Sequence, residues 1–174
     1  MANINELKPY IDEIAIQDGI KKLADRLNDI YKDEEVCMVC VLKGAVMFAV
    51  DLAKNLKMPL DMQFIRLSSY GSNQTSSGKV NAVDIKLPDL NGKNVLIVED
   101  IIDTGHTAKF LMDFINYNFH AKSLKFCSLL DKKVRREVDI NADFYCFEVE
   151  DKFLVGYGLD LEDKCRNLTG IYYL

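Results

Sequence analysis

Residues 94–107 read Asn-Val-Leu-Ile-Val-Glu-Asp-Ile-Ile-Asp-Thr-Gly-His-Thr, and this stretch decides the fold class. Asn91-Gly92 turns the chain just before it, and the apolar run that follows predicts a buried strand over 95–99. Two acids end that strand, and a short polar loop then opens a helix predicted over 107–117. Because ligands bind at the carboxyl ends of the strands in an open parallel sheet, the stretch predicts a binding site as well as a strand-loop-helix unit.

The chain around this unit alternates in the same way between apolar strands and amphipathic helices. A first helix is predicted over 20–31 from an apolar stripe at helical spacing that ends with Ile30 and Tyr31. Strands that alternate with helices imply right-handed crossovers and a mostly parallel central sheet flanked by helices, which is an α/β fold. The other predicted elements are strands over 36–42, 61–68, 124–130, 144–149 and 153–157 and a helix over 45–56.

Composition and charge exclude several classes of protein. The 174 residues are 49% hydrophobic and 28% charged, which predicts one globular domain over 1–174 with its core over about 36–160. A net charge of -5 argues against DNA or RNA as a partner. The longest apolar run has seven residues, against the roughly 20 that span a bilayer, and the N-terminus is unlike a signal peptide. We therefore expect a cytoplasmic protein with no membrane partner.

The five cysteines, in a chain without an export signal, are expected to be free thiols. Cys37 and Cys40 have a Cys-x-x-Cys spacing, but both lie inside the apolar strand predicted over 36–42. A zinc site would need a second Cys or His pair, and a redox pair would need a helix N-terminus to stabilise the thiolate. We therefore interpret both cysteines as core residues.

Residues 68–79, Ser-Ser-Tyr-Gly-Ser-Asn-Gln-Thr-Ser-Ser-Gly-Lys, form the one break in composition along the chain. Such a stretch is either a plain surface connection or a lid over a site, because loops of this length are uncommon inside compact domains. The residues alone leave both interpretations open.

The loop that follows the strand over 95–99 has the features of a phosphate site. Backbone N–H groups, two threonine hydroxyls and a glycine lie between Asp103 and Thr107, at the start of a helix, and such a place binds anions. Glu99 and Asp100 would repel a phosphate, but they can accept hydrogen bonds from sugar hydroxyls or face a divalent cation. A ribose 5-phosphate satisfies both halves; ordinary strand-end acids followed by a helix cap remain the alternative.

The run over 95–107 resembles the phosphoribosyl-pyrophosphate motif of the type I phosphoribosyltransferases, with its apolar strand, Glu-Asp, two apolar residues and Asp-Thr-Gly-x-Thr. The match extends from about residue 36 to residue 167 and is most similar to the branch that acts on hypoxanthine and guanine. Four further segments resemble motifs of that branch in the same order: Leu42-Lys43-Gly44, Ser69-Tyr70, 129–132 and 151–160.

The resemblance implies purine salvage: transfer of the phosphoribosyl group from phosphoribosyl pyrophosphate to hypoxanthine and guanine, releasing IMP or GMP and pyrophosphate. It implies the type I phosphoribosyltransferase fold, with a small hood formed by the N- and C-terminal segments and a flexible lid over about 68–82. Mg²⁺ is the implied cofactor, and a homodimer or homotetramer the implied assembly.

The resemblance also assigns roles to residues. Asp103 is the implied general base, taking a proton from the purine ring. Glu99 and Asp100 would bind the ribose hydroxyls and Mg²⁺, and Asp160 a second Mg²⁺. The 5'-phosphate would lie on Thr104, Gly105, His106 and Thr107, where His106 is a spacer. Pyrophosphate would contact Lys43, Gly44, Ser69, Tyr70 and Arg166. The purine would contact Ile102, Lys132, Phe153 and Leu154.

Two other classes of function compete with this one. A non-catalytic phosphoribosyl-pyrophosphate sensor with the same fold would be expected to show a basic face or an added DNA-binding module, whereas this chain has a net charge of -5. A phosphorylation-receiver domain also has acids at strand ends, but its paired acids belong to the first strand, and Glu99-Asp100 lies past the middle of the chain. We therefore favour the transferase.

Overall fold

The computed structural model describes residues 6–69, 80–81 and 86–174, without the side chains of residues 68, 69, 80 and 81. A five-stranded parallel sheet forms its centre, with helices on both faces, so the α/β prediction is confirmed. In chain order the elements are β1 (Lys8–Ile11), α1 (Glu13–Tyr31), β2 (Val36–Leu42), α2 (Val46–Asn55), β3 (Leu60–Arg66), β4 (Ser68–Ser69), β5 (Val80–Asn81), β6 (Asn94–Ile102), α3 (His106–Asn118), β7 (Ser123–Asp131), β8 (Phe144–Glu148), β9 (Leu154–Val155) and β10 (Ile171–Tyr173), with a short 3-10 turn at Lys133–Arg135.

The central sheet has the strand order β3-β2-β6-β7-β8. Its strand β2 is the predicted one, because seven apolar residues in a row suit a strand that is covered on both faces. Side chains alternate between the faces, so Cys40 packs on the side of α1 and α2 while Cys37 packs on the side of α3. The two thiols therefore cannot share a metal ion or a disulfide, and all five cysteines are free.

Helix α1 begins seven residues earlier than predicted, since the Asp12 side chain caps it by accepting a hydrogen bond from the Ala15 N–H at 2.8 Å. Most of the predicted apolar stripe is buried against the sheet. Ile30 is the exception, with 56% of its surface exposed, because it lies at the edge of the stripe in the last turn. In the part of the chain that the structure describes, no helix has the length and apolarity to cross a membrane.

A small hood consists of the antiparallel sheet β1-β10-β9, which joins the two ends of the chain. The predicted strand over 153–157 is only two residues long, since the chain turns at Gly156 with φ +100° and continues through Tyr157 with φ +47°. Strands β1 and β10 were not predicted. The hood covers the carboxyl end of the central sheet through Gly158, whose Cα lies against the backbone of Gly44.

Candidate active site

Most of the predicted site residues lie at the carboxyl ends of β2, β6 and β7 or in the segments that face them. A cavity of about 450 Å³ opens there between β6 and the hood, and a smaller one of about 170 Å³ lies beside the turn after β2. Asp100 lines both, so it stands in the wall between them. The larger cavity contains six of the predicted residues, namely Asp100, Asp103, Lys132, Phe153, Leu154 and Asp160, and the smaller contains Gly44, Glu99, Asp100 and Thr107.

Ile102 does not face the larger cavity as expected, and its neighbour Ile101 does. The reason is that β6 continues past Glu99 to Ile102, so successive side chains still point to opposite faces of the sheet. Ile102 is 1% exposed and packs into the core on the side of α3. The hydrophobic surface available to a base is therefore that of Ile101, and the assignment of Ile102 as a base contact is corrected.

The loop at the start of α3 is held from behind by residues 136–140. Gly105 has φ +90°, and a Cβ added there would come within 2.6 Å of the Ile140 side chain, so the loop requires glycine at this point. The Glu137 N–H donates to the Thr104 carbonyl at 2.9 Å. No side chain among the described residues caps Gly105, so the first backbone N–H groups of α3 are available to an anion there.

His106 has a carboxylate partner that its sequence neighbours do not reveal. Its Nε2 lies 2.9 Å from Glu137 Oε2, in a partly exposed pair that links α3 to the segment behind the loop. The two residues are 31 positions apart in the chain, so the sequence around His106 does not indicate the contact. The pair joins the loop to the segment behind it, and the assignment of His106 as a spacer stays a prediction.

Two adjacent acids end the sheet at the wall between the cavities. Glu99 is 8% exposed, and burial raises its pKa well above the usual range, with a further contribution from the nearby Asp100. Burial likewise raises the pKa of Asp100 to about 6, although its Oδ1 accepts a hydrogen bond from the Ile101 N–H. Asp100 packs so closely on Gly44 that a Cβ there would be 1.6 Å from Asp100 Oδ2. Desolvated carboxylates of this kind suit a bound cation, which would keep them ionised.

The turn after β2 brings together most of the residues expected to bind pyrophosphate. The peptide bond between Leu42 and Lys43 in this turn is cis. Arg166 Nη1 donates to the Gly158 carbonyl at 2.7 Å, and its Nη2 lies 2.6 Å from Asp160 Oδ1. Ser69 pairs through its backbone in the two-stranded ribbon β4-β5, without a described side chain, and Tyr70 lies outside the described residues, as does most of the predicted lid.

Lys132 and Phe153 form the far side of the larger cavity. Lys132 is only 4% exposed, and its Nζ donates to the Lys152 carbonyl at 2.7 Å, which leaves two of its three ammonium protons for other acceptors. Phe153 is 57% exposed even though it is a large aromatic residue, so a flat ring could stack on it. Leu154 is buried in β9, which places its backbone at the cavity edge.

Asp103 itself has an unusual environment. Its Oδ1 is buried and has no hydrogen-bond partner within residues 6–69, 80–81 and 86–174. The nearest cation is Arg135, whose Nε lies 3.6 Å away, beyond hydrogen-bond distance. Unpartnered buried oxygens are rare in folded proteins and call for a functional explanation. The rest of the side chain is accessible, since Asp103 is 36% exposed and lines the larger cavity.

Arg136 is a site residue that the sequence analysis missed. Its guanidinium donates to the Asp103 carbonyl at 2.5 Å and forms a buried ion pair with Asp131 at the end of β7. The side chains of Arg136 and Asp131 are 12% and 1% exposed. In the sequence, Arg136 looks like one of several cations in a run; only the fold shows that it turns inward and fixes the backbone of Asp103.

Known proteins resemble this chain along nearly its whole length. The family model of the phosphoribosyl transferase domain matches residues 10–162. Relatives include a hypoxanthine-guanine phosphoribosyltransferase of Bacillus subtilis, 44% identical over 164 residues that make up 94% of this chain and 91% of the relative. Another, from Aquifex aeolicus, is 44% identical over 168 residues, which are 96% of this chain and 94% of that one.

Solved structures give the same result for the fold. A crystal structure of a hypoxanthine-guanine phosphoribosyltransferase from Bacillus anthracis, with a HEPES molecule in its active site, has a TM-score of 0.91 at 41% identity and covers 97% of this chain and 99% of that one. A hypoxanthine phosphoribosyltransferase from Staphylococcus aureus has a TM-score of 0.92 at 36% identity and covers 98% and 92%.

Proposed function

This chain belongs to the phosphoribosyl transferase family and is a phosphoribosyltransferase enzyme, and from that premise we propose a specific reaction for it. The enzyme transfers the 5-phosphoribosyl group from phosphoribosyl pyrophosphate to hypoxanthine and to guanine, with Mg²⁺, and gives IMP or GMP and pyrophosphate. The names of its relatives support purine salvage as the setting. The single-domain organisation, the cytoplasmic location and the homodimeric or homotetrameric assembly stay predictions.

The observation that carries the proposal is the set of side chains that line the larger cavity together with Asp103. The Asp103 carboxylate, whose side chain is 36% exposed, lines that cavity together with the ammonium of Lys132 and the exposed ring of Phe153. A 6-oxopurine offers three matching features: a ring N–H for the carboxylate, a carbonyl oxygen for the ammonium, and a flat face for the aromatic ring. Adenine has an amino group instead of the carbonyl oxygen, so Lys132 would have no acceptor there.

Proton removal by Asp103 would make the purine nitrogen a better nucleophile while positive charge develops on the sugar, as in other glycosyl transfers. The loop after Asp103, with free backbone N–H groups at the start of α3, would hold the 5'-phosphate and so fix the sugar beneath the base. Arg136 supports this arrangement by fixing the backbone carbonyl of Asp103.

The acids of the site suit Mg²⁺. Glu99 and Asp100 are adjacent, desolvated and free of a nearby basic partner at hydrogen-bond distance within the described part of the chain, and a divalent cation would stabilise both as carboxylates. Asp160 would reach the pyrophosphate side. No group of three or more metal-ligating side chains occurs among the described residues, so oxygen atoms of the substrate would complete the coordination. Bound Mg²⁺ would neutralise charge on the departing pyrophosphate.

A spectrophotometric assay tests the reaction directly. With Mg²⁺ and phosphoribosyl pyrophosphate, we expect turnover of hypoxanthine and guanine, and none of adenine. Absence of turnover with every 6-oxopurine, in a protein whose circular dichroism shows a folded α/β domain, would reject the proposal.

Two variants test the assigned roles. Asp103→Asn keeps the shape of the side chain but cannot accept the proton, so kcat should fall about 10²- to 10⁴-fold with little change in the affinity for phosphoribosyl pyrophosphate. Equal losses in both would reject the general-base role. Lys132→Ala should reduce the selectivity for 6-oxopurines over adenine, and an unchanged ratio of kcat/KM values would reject that assignment.

A further inference from the structure

We propose that the Asp163 carboxylate sits where the pyrophosphate group of the substrate binds, between Lys43 and Arg166, and weakens pyrophosphate binding by competing for both cations. The proposal rests on the function proposed above, because it takes Lys43 and Arg166 as the residues that receive pyrophosphate. Asp163 is thereby a residue that sets the affinity for substrate and for released pyrophosphate.

Distances at the pyrophosphate side support this competition. Lys43 Nζ lies 2.9 Å from Asp163 Oδ1, and Arg166 Nη2 lies 3.5 Å from the same oxygen. One carboxylate oxygen therefore bridges an ammonium and a guanidinium that come from segments 120 residues apart in the chain. Oxygen atoms of carboxylates and of phosphates are recognised by the same donors. The pKa of Asp163 is lowered by these two cations, Lys43 first, which agrees with a carboxylate held in an anion site.

A tight turn aims Asp163 at the cations. Leu161 and Lys164 exchange backbone hydrogen bonds at 3.0 Å, and the two residues between them, Glu162 and Asp163, have φ values of +52° and +61°. Positive φ at both central residues is the conformation of a type I' turn. The Asp163 N–H also donates to Asp160 Oδ2 at 2.9 Å, which connects the turn to the proposed Mg²⁺ residue.

Pyrophosphate has to exchange with Asp163 to reach Lys43. Arg166 would keep its contacts with the Gly158 carbonyl and Asp160 during this exchange, whereas the ion pair of Lys43 with Asp163 would have to break. The side chains of Lys43 and Asp163 are 51% and 74% exposed, so water and salt weaken their attraction. The exchange therefore changes affinity by a small factor, which favours release of pyrophosphate without preventing substrate binding.

The test is the affinity of the Asp163→Asn variant for inorganic pyrophosphate with MgCl₂, measured by isothermal titration calorimetry at low ionic strength. Asparagine keeps the size of the side chain and tolerates positive φ. We expect pyrophosphate to bind about two- to fivefold more tightly than to the unmodified protein, the range expected from exposed ion pairs. Product inhibition by pyrophosphate should strengthen by the same factor, and added salt should reduce the difference.

Glu34→Gln is the matched control, because it makes the same change in net charge and breaks an exposed ion pair with Lys122 at the opposite end of the sheet. It should leave pyrophosphate affinity unchanged. Unchanged or weaker binding to Asp163→Asn would overturn the inference, and weaker binding would make Asp163 a support for Mg²⁺ instead. If the unmodified protein turns over 6-oxopurines, unchanged or weaker pyrophosphate binding by Asp163→Asn refutes only this inference. If the unmodified protein neither turns over 6-oxopurines nor binds pyrophosphate, the proposed function fails as well.

Discussion

Replacement of Arg136 by methionine is expected to destabilise the fold by about 3–5 kcal/mol, the usual cost of leaving one member of a buried ion pair alone. The partner, Asp131, has a side chain that is 1% exposed, and its charge would have no other cation in the described ion pairs. For 174 residues, an unfolding entropy of about 2.1 cal/mol/K per residue converts this loss into a Tm lower by about 8–14 °C. The loss would appear in urea denaturation as a lower midpoint at an unchanged slope.

A double-mutant cycle separates stability from function in this prediction. Asp131→Asn in the Arg136→Met background removes the isolated charge, so the double variant should be more stable than the sum of the single effects by more than about 1 kcal/mol. The kcat values of the single variant Arg136→Met and of the double variant should both lie below that of the unmodified protein, since both lack the hydrogen bond from Arg136 to the Asp103 carbonyl.

The control for loss of a long cationic side chain is Lys109→Met, which breaks an exposed pair with Asp113 and should leave the midpoint nearly unchanged. A loss below about 1 kcal/mol for Arg136→Met, similar to that of an exposed pair, would refute the reasoning from burial.

Three more predictions concern the glycines, the acids and the thiols. In thermal melts, Gly158→Ala should lower the unfolding free energy by well over the roughly 1 kcal/mol expected for Gly92→Ala. Both glycines have positive φ, but only at residue 158 would an added Cβ lie 2.0 Å from a backbone oxygen, so equal losses for the two variants would contradict this prediction. The pKa of Asp100 rises from 3.8 to about 6 on folding, so this residue should destabilise the ligand-free protein increasingly as pH rises from about 4 to about 6, by at most about 3 kcal/mol. The measurement is the difference in unfolding free energy between the unmodified protein and Asp100→Asn, and a difference that does not change with pH would refute this prediction. Since burial raises the pKa of Cys40 to about 12 and that of Cys127 well above the usual range, neither should react with a disulfide reagent at pH 8 until the protein unfolds, as followed by mass spectrometry.

The sequence was most informative where burial acts on both sides of an element. The strand β2 was predicted to the residue, because a run of seven apolar residues suits a strand buried on both faces and is short for a helix. The acids and the loop that follow β6 could be predicted as a site because they form one contiguous motif at a strand end. By contrast, which of Ile101 and Ile102 faces the cavity depends on how far β6 extends. Two adjacent identical residues do not indicate where the strand ends.

What the sequence did not reveal depends on contacts between distant segments. Strands β1 and β10 have four and three residues, too few for a periodic signal, and they are stabilised mainly by pairing with each other. The inward direction of Arg136 depends on Asp131 at the end of β7, which a run of cations does not indicate. The bridge from Asp163 to Lys43 requires the hood to lie against the turn after β2.

The hood also fixes the order in which the enzyme can become competent during synthesis. Its middle strand, β10, is formed by Ile171–Tyr173, and both β1 near the start of the chain and β9 beside the base cavity pair with it. Among the described strands, β9 pairs with β10 alone, so it has no strand partner until Ile171–Tyr173 are free to fold. A nascent chain that stalls before residue 171 therefore leaves Leu154, at the edge of the larger cavity, in a segment without its sheet.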